Sequence, residues 1–519
     1  MMKLVRLSLL LLLAAFLTPL SAQDNFVSGT PCGTPAVKSE WLQKFQKGLI
    51  PRVEKTGMIQ YAPIRLIVVG NTDGSGYIDP VRLLTTINEL NGDFIDQNIQ
   101  FYIAGEIEFL NSSAFYDHSF SVGAQMMAQN SINGVINVYF VGNPAGACGY
   151  YSPSRDAIAM GNNCTGTGDR TFSHEMGHFL SLPHTFFGWE CVDFISAIPD
   201  PAPERLAFPD VSGCNDPNNP NSVGPLVETV ERNEANCQEA GDGFCDTNPD
   251  YLMEGWGCNN QGFYPDSLTD PNGVRFAVEA WNIMSYSRDG CQNGFSDDQE
   301  AAMLANLTNR NIINNEGVPE EGANGEELAH ISPENNETLP ASDFVELTWE
   351  SVPNADFYIV QLHSSQNLNG AVLFTEVVYG TSLIIEEGLV ANRRYYWRVR
   401  PVNNYIVDGS FSETTRFRNG EFPTATIDRE LNAAITVSPN PAFGGAALNI
   451  SGRDLGVSGE LNLELINAAG QVVVSRQGLN VNAAGFTETV NTATLPQGVY
   501  FLRLRLNDRL VTRRVVVTP

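Results

Sequence analysis

The chain has 519 residues, with 30 Lys and Arg against 59 Asp and Glu, a formal charge of −29. Hydrophobic residues make up 43% and charged residues 17%, which fits three or four globular domains and excludes a disordered acidic tail. The excess of carboxylates excludes nucleic acid or an anionic membrane surface as the main partner, because both require clustered Lys and Arg.

The chain opens with an export signal. Lys3 and Arg6 precede an apolar run at 9–17, and Leu20, Ser21 and Ala22 supply a small-residue cleavage site. Residues 1–22 therefore read as a signal peptide, too short to anchor in a bilayer, which places the mature chain in an oxidising compartment. No later stretch is long and apolar enough to span a membrane. Eight cysteines, Cys148, Cys164, Cys191, Cys214, Cys237, Cys245, Cys258 and Cys291, fall in one region, and Cys32 stands alone before it. Eight can pair completely, with 105 connectivities open, and Cys32 is the one left over.

Residues 60–170 alternate strand-like and helix-like patterns. The runs at 64–69, 99–104 and 135–141 are apolar and β-branched. Between the first two, Val81, Leu84, Ile87 and Leu90 recur at helical spacing behind Asp79 and Pro80, an N-cap and first-turn pair. This predicts an α/β sheet domain. Further on, Ser296 and Gln299 form a capping box opening a helix through about Leu307. The acidic, Gly- and Asn-rich stretch 314–327 has no periodicity and reads as a linker. Residues 329–420 and 435–519 alternate apolar and polar, as at Val345, Leu347 and Trp349 or Tyr500, Leu502, Leu504 and Leu506, and predict two β-sandwiches.

Three of six histidines lie within eleven residues, in Ser173-His-Glu-Met-Gly-His-Phe-Leu-Ser-Leu-Pro-His184. On a helix, His174 and His178 are i and i+4, so both imidazoles leave one face and can grip one zinc ion. Glu175, rotated by about 100°, flanks the metal, where it can take a proton from a polarised water. Leu182-Pro183 turns the chain so that His184 can return as a third ligand. Chance gives His-Glu-x-x-His in about one chain in 250 of this composition, and the further histidine in about one in twenty thousand. His118, His330 and His363 are isolated and read as ordinary core or surface residues.

With these residues in view, the region at about 60–310 resembles the metzincin peptidases, and specifically the pappalysin (cytophagalysin) family. The histidines and glutamate match the metzincin pattern, Gly241-Asp-Gly-Phe-Cys-Asp-Thr247 resembles a pappalysin calcium segment, and Asn282-Ile-Met-Ser-Tyr286 resembles the Met-turn. The resemblance implies a zinc endopeptidase acting on proteins or peptides. Met284 would form the floor of the site and Tyr286 would contact zinc or the tetrahedral intermediate. Asp242 and Thr247 would help bind structural Ca²⁺, although a capped turn would look the same. Where the family motif has glycine, this chain has Ser181, and a non-Gly residue in a left-handed turn costs about 1–2 kcal/mol. The Pro- and Asn-rich stretch from Cys191 to Asn236 reads as a long loop near the cleft.

Cys32-Gly-Thr resembles the cysteine-switch segment of related zymogens, in which a thiolate takes the fourth position on zinc. That implies a pro-segment at 23–55, removed by a cut between Lys44 and Lys55, with Arg52 an exposed candidate. The catalytic domain would then occupy 56–313 and the linker 314–328. Residues 329–420 resemble a fibronectin type III domain. Residues 435–519, with Val437-Ser-Pro-Asn-Pro441 and Leu495-Pro-Gln-Gly-Val-Tyr500, resemble a type IX secretion sorting domain. The last resemblance implies the type IX machinery as a partner and a secreted or cell-surface protein of a Gram-negative bacterium. The expected fold is thus multidomain: a metzincin-like α/β zinc peptidase followed by two all-β sandwiches. Two rivals stay open: a gluzincin-type peptidase with a glutamate as third ligand, and a secreted adhesin whose β domains carry the main function.

Overall fold

The computed structural model describes residues 32–55, 57–190, 198–206, 225–230, 236–253, 255–340, 344–366, 368, 372–386, 388–420, 427–443, 447–467, 472–496, 498–507 and 509–518. The signal at 1–22, the rest of the segment before Cys32, Cys191, Cys214 and most of the loop that follows Cys191 lie outside the described residues.

Helix α1, Glu40–Gln46, starts at Ser39, whose hydroxyl accepts from Leu42 N–H. Its Leu42 and Phe45 are buried in the core of the domain that follows. Strand β1, Gln60–Gly70, is apolar almost throughout because both its faces are covered, as parallel strands require. On one face Ile64, Leu66 and Val68 meet helix α2, Pro80–Asp93. On the other, Ile67 and Val69 meet Met126 and Met127 of helix α3, Phe120–Asn130. Asp79 caps α2 by accepting from Val81 and Arg82 N–H, as the Asp-Pro pair predicts.

The remaining strands are β2 (Ile99–Ile103), β3 (Glu108–Asn111), β4 (Ile136–Val141), β5 (Gly149–Ser152) and β6 (Ala157–Gly161). Their order is β2-β1-β4-β6-β5, with β3 also beside β1. Every pairing is parallel except β5 against β6. The antiparallel strand β5 therefore closes one edge of the sheet. Beneath the sheet lies α4, Thr171–Phe179, with Phe172, Met176 and Phe179 in the main core. Arg170 at its start is clamped by Glu89 (2.6 Å) and Asp93 (3.2 Å) of α2. Helix α5, Asp297–Arg310, carries the expected Ser296/Gln299 capping box and runs one turn further than the sequence suggested. The extension has a cause. Arg310 donates to Phe179 O (2.7 Å) and stacks on the Phe179 ring, tying α5 to the end of α4.

Two β units follow, each with, among the described residues, a three-stranded sheet and a five-stranded one. In the first, Val345, Leu347, Trp349, Val360 and Trp397 fill the interior. The strand Phe357–His363 shows more burial than alternation predicts, since every residue in it is buried. Its second face, with Phe357 and Ile359, packs into the core of the α/β domain. The contact continues at the β2 edge: Ile103 N–H donates to Asn404 O (2.9 Å), and Tyr405 stacks on Tyr102 at 4.4 Å. The linker is pinned as well, through Asn314 N–H to Tyr61 O and a close approach of Gly325 to Ser410 O. In the second unit, Leu461, Leu463, Leu465, Tyr500, Leu502 and Leu504 form a separate core. Among the described residues no helix is long and apolar enough to cross a membrane.

Candidate metal centre

Helix α4 positions His174, Glu175 and His178, each buried. It stops at Phe179, and the chain turns through Ser181, whose φ of +78° is the left-handed value expected of the missing glycine. Asn306 of α5 donates to Ser181 Oγ (2.8 Å), an interaction glycine could not make, which offsets part of the backbone cost. Beyond the turn, Thr185 N–H donates to Met284 O (3.1 Å) and brings His184 back to the helix.

His178 Nε2 lies 3.1 Å from His174 Nε2 and 3.1 Å from His184 Nε2. The opposite ring nitrogens are each engaged. His174 Nδ1 faces Ile283 O (2.7 Å), His178 Nδ1 faces Leu182 O (2.8 Å) and His184 Nδ1 faces Glu190 Oε1 (3.1 Å). Carbonyl and carboxylate acceptors place the ring proton on Nδ1, so three Nε2 lone pairs point at one another inside the protein. Burial first, then the neighbouring imidazoles, lowers His174 to about 3 and His178 well below its usual value. Both rings are therefore neutral. Mutually repelling lone pairs in a buried site fit a bound cation and little else.

Cys32 completes the group. Its Sγ is 3.4 Å from His178 Nε2, and the ligand atoms of Cys32, His174, His178 and His184 all lie within 4.8 Å of one another. Burial, then the Glu175 charge, raises the thiol. Glu175 stands outside this quartet, with its carboxyl pushed up to about 7, mainly by burial. Tyr286 packs against His184, ring centres 5.1 Å apart, and its hydroxyl donates to Cys32 O (3.3 Å). Met284 is fully buried under α4, so close that a Cβ on Gly177 would sit 2.4 Å from its Sδ.

Asp242 and Thr247 are buried together, Thr247 Oγ1 lying 3.4 Å from Asp242 Oδ2, away from the histidine group. Burial pushes Asp242 up to about 7 and raises Glu228, and the Lys38 ammonium pulls both back down. His118, His330 and His363 are far from the centre in their own packing: His118 bonds Phe115 O and Tyr150, and His330 bonds Ser412 and Thr415. Disulfides join Cys148 to Cys164, Cys237 to Cys245 and Cys258 to Cys291, whereas Cys32 is a thiol.

Two contributors escaped the motif. Glu190 orients His184, and it also accepts from Gly188 N–H (2.7 Å). Thr34 Oγ1 donates to Glu175 Oε2 (2.7 Å). Their sequence signal is slight: a glutamate six residues past a ligand, and a threonine two past the cysteine.

With this geometry in hand, comparison with known proteins adds two points. Residues 436–518 match the family model for a secretion system C-terminal sorting domain. An extracellular metalloprotease of Colletotrichum graminicola is 25% identical over 211 residues, covering 35% of this chain and 75% of that protein. The chain is thus an exported protein, secreted or held at the cell surface by a Gram-negative bacterium of the Bacteroidetes type, with a region similar to an extracellular metalloprotease. Solved structures with similarity include the FN1-FN3 domains of chicken CNTN1 (13% identity, TM-score 0.17, 38% of this chain and 66% of that one). The fibronectin(III)-like modules of Clostridium thermocellum CbhA also match (12%, TM-score 0.15, 37% and 92%). At these scores the strand pairing itself describes the β units better.

Proposed function

We propose that the chain is the zymogen of a secreted zinc endopeptidase of the pappalysin type, built on a metzincin α/β domain. One observation carries the reading: three imidazoles with their Nε2 atoms turned to a common point, and a buried glutamate beside them that is not part of the quartet. Two nitrogens about 2.0–2.1 Å from a tetrahedral zinc stand roughly 3.3 Å apart, close to the spacing here. His174, His178 and His184 would hold the ion through their Nε2 atoms. When bound, zinc supplies Lewis acidity, acidifying water and polarising the scissile carbonyl.

The remaining chemistry belongs to side chains. Glu175 takes a proton from the attacking water and passes it to the leaving amine, a role suited to a carboxyl near neutrality. Tyr286, packed beside His174 and His184, turns its hydroxyl toward the developing oxyanion. The outer edge of β5 offers Gly149 O and Tyr151 N–H to an extended substrate backbone. Cys32, whose Sγ lies among the histidine nitrogens, would hold the zymogen idle as a further ligand, and a cut near exposed Arg52 would begin its release. Asp242 and Thr247 would help hold a structural calcium ion, as the resemblance implies. The C-terminal domain addresses the chain to the type IX machinery.

Among the described residues the group at the site holds His184 and no glutamate, and Glu190 faces the far nitrogen of His184. The test pairs metal analysis with proteolysis of the processed enzyme. Glu175→Ala retains one zinc per chain and loses at least three orders of magnitude in turnover. His184→Ala loses the zinc. Full activity of Glu175→Ala, or zinc retained without His184, would sink the mechanism, and binding to a surface independent of Glu175 would favour the adhesin.

A further inference from the structure

We infer that Thr34 is a second latency residue, which disables the base and the substrate-binding edge while Cys32 disables the metal site. The inference rests on the zymogen reading above and names a device within it. Thr34 is 5% exposed and lies 141 residues from Glu175 in sequence. Its hydroxyl has one proton and two lone pairs, and the structure uses both capacities. Oγ1 donates to Glu175 Oε2 (2.7 Å) and accepts from Tyr151 N–H (2.8 Å).

These are the two groups that a substrate complex needs. Glu175 must be open to the attacking water, and Tyr151 N–H lies on the outer edge of β5, where an extended backbone would pair. Neighbouring contacts hold Thr34 in register. Gly33 N–H donates to Gly149 O (2.8 Å), and Thr34 N–H donates to Cys32 Sγ (3.3 Å). Gly33 itself admits no side chain: a Cβ there would stand 2.9 Å from the Phe120 ring and 3.3 Å from Ala147 Cβ. One hydroxyl thus bridges base and edge strand, and it couples departure of Cys32 to rupture of both contacts.

The test uses the full-length pro-form in four versions: wild type, Thr34→Val, Thr34→Ser and Cys32→Ser. Valine keeps the shape and removes the hydroxyl, whereas serine restores it. The first readout is the rate at which Cys32 reacts with a thiol reagent, which needs no proteolysis. The second is residual cleavage of a protein substrate before processing. Loss of the hydrogen bond to Glu175 predicts a rise of about tenfold in both for Thr34→Val, with Thr34→Ser near wild type. In a Glu175→Ala background the effect of Thr34→Val on thiol reactivity should largely vanish, an outcome a merely structural role would not give.

Equal thiol reactivity and equal latency in wild type and Thr34→Val would overturn the proposal, even with Cys32→Ser active, and the zymogen reading would then stand without it. If the processed wild type cleaves nothing and binds no zinc, that reading fails first. Should Thr34→Val not accumulate, synthetic peptides of residues 32–38 bearing Thr or Val are compared as inhibitors of the processed enzyme. Weaker inhibition by the Val peptide supports the latch, and equal inhibition overturns it.

Discussion

Replacing Gly177 with alanine tests whether α4 and the Asn282–Tyr286 turn form one tightly packed support for the histidines. The added Cβ would stand 2.4 Å from Met284 Sδ and 3.3 Å from Met284 Cε. Ordinary contact begins near 3.4–4 Å, so the sulfur must retreat by about 1 Å. It has little room. Met284 is fully buried, its N–H donates to Asn282 Oδ1 (2.9 Å) and its carbonyl accepts from Thr185 N–H (3.1 Å). Overpacking of this kind costs about 1–3 kcal/mol, whereas alanine gains about 1 kcal/mol over glycine in a helix interior. The net expectation is a loss of up to about 2 kcal/mol, or a few degrees in Tm for a domain of this size.

The displaced turn also carries Ile283 O, the acceptor for His174, so metal uptake at the histidine group should fall with stability. Calorimetry and metal analysis are run on the full-length chain carrying Glu175→Ala, which removes any self-cleavage that the proposed mechanism would bring. Met284→Ala alone should cost about 2–5 kcal/mol, and the double variant at least 1 kcal/mol less than the sum. A Gly177→Ala protein that melts higher than its parent, with effects additive to Met284→Ala, would refute the close packing.

Two further expectations concern the surroundings. Burial pushes Asp242 and Asp250 up to about 7 and raises Glu228, so the folded protein holds more protons than the unfolded chain between about pH 4 and 7. Stability therefore falls as pH rises through that window. A calcium ion held with the help of ionised Asp242 would oppose the loss, so millimolar calcium should raise Tm more at pH 8 than at pH 5.5, and equal shifts would count against a site at Asp242 and Thr247. Tyr405→Ala removes the ring stacked on Tyr102 and edge-on to Tyr61. At about 0.5–1.5 kcal/mol per aromatic pair, it should speed hydrogen exchange at Ile103 N–H severalfold, and unchanged exchange would mean that the β unit docks by other contacts.

The parts of the molecule legible in the sequence are those set by local periodicity. The His174/His178 pair needs only a helix, and the chain there has one. The Asp79-Pro80 start and the Ser296/Gln299 box are local hydrogen-bond problems with local answers. Strand alternation located the β units but understated Phe357–His363, because its second face, with Phe357 and Ile359, is covered by the core shared with the α/β domain. The linker composition suggested slack, yet Asn314 and Gly325 are pinned by partners on either side of it.

The opening count left an acidic, exported chain with one cysteine outside a set of eight, and the His-Glu-x-x-His spacing with its trailing histidine marked a metal-binding pattern. Spacing along one helix can do that much, since i and i+4 fix the side chains relative to each other. Resemblance put Cys32 at the histidine group, but only tertiary structure shows its Sγ against His178 across 146 residues, and it alone decided that Thr34 reaches Glu175. It likewise gave each imidazole its Nδ1 acceptor from a separate turn or loop. Those contacts join segments whose encounter depends on the edge strand and the packed turn, and no local rule of backbone geometry encodes a meeting between them.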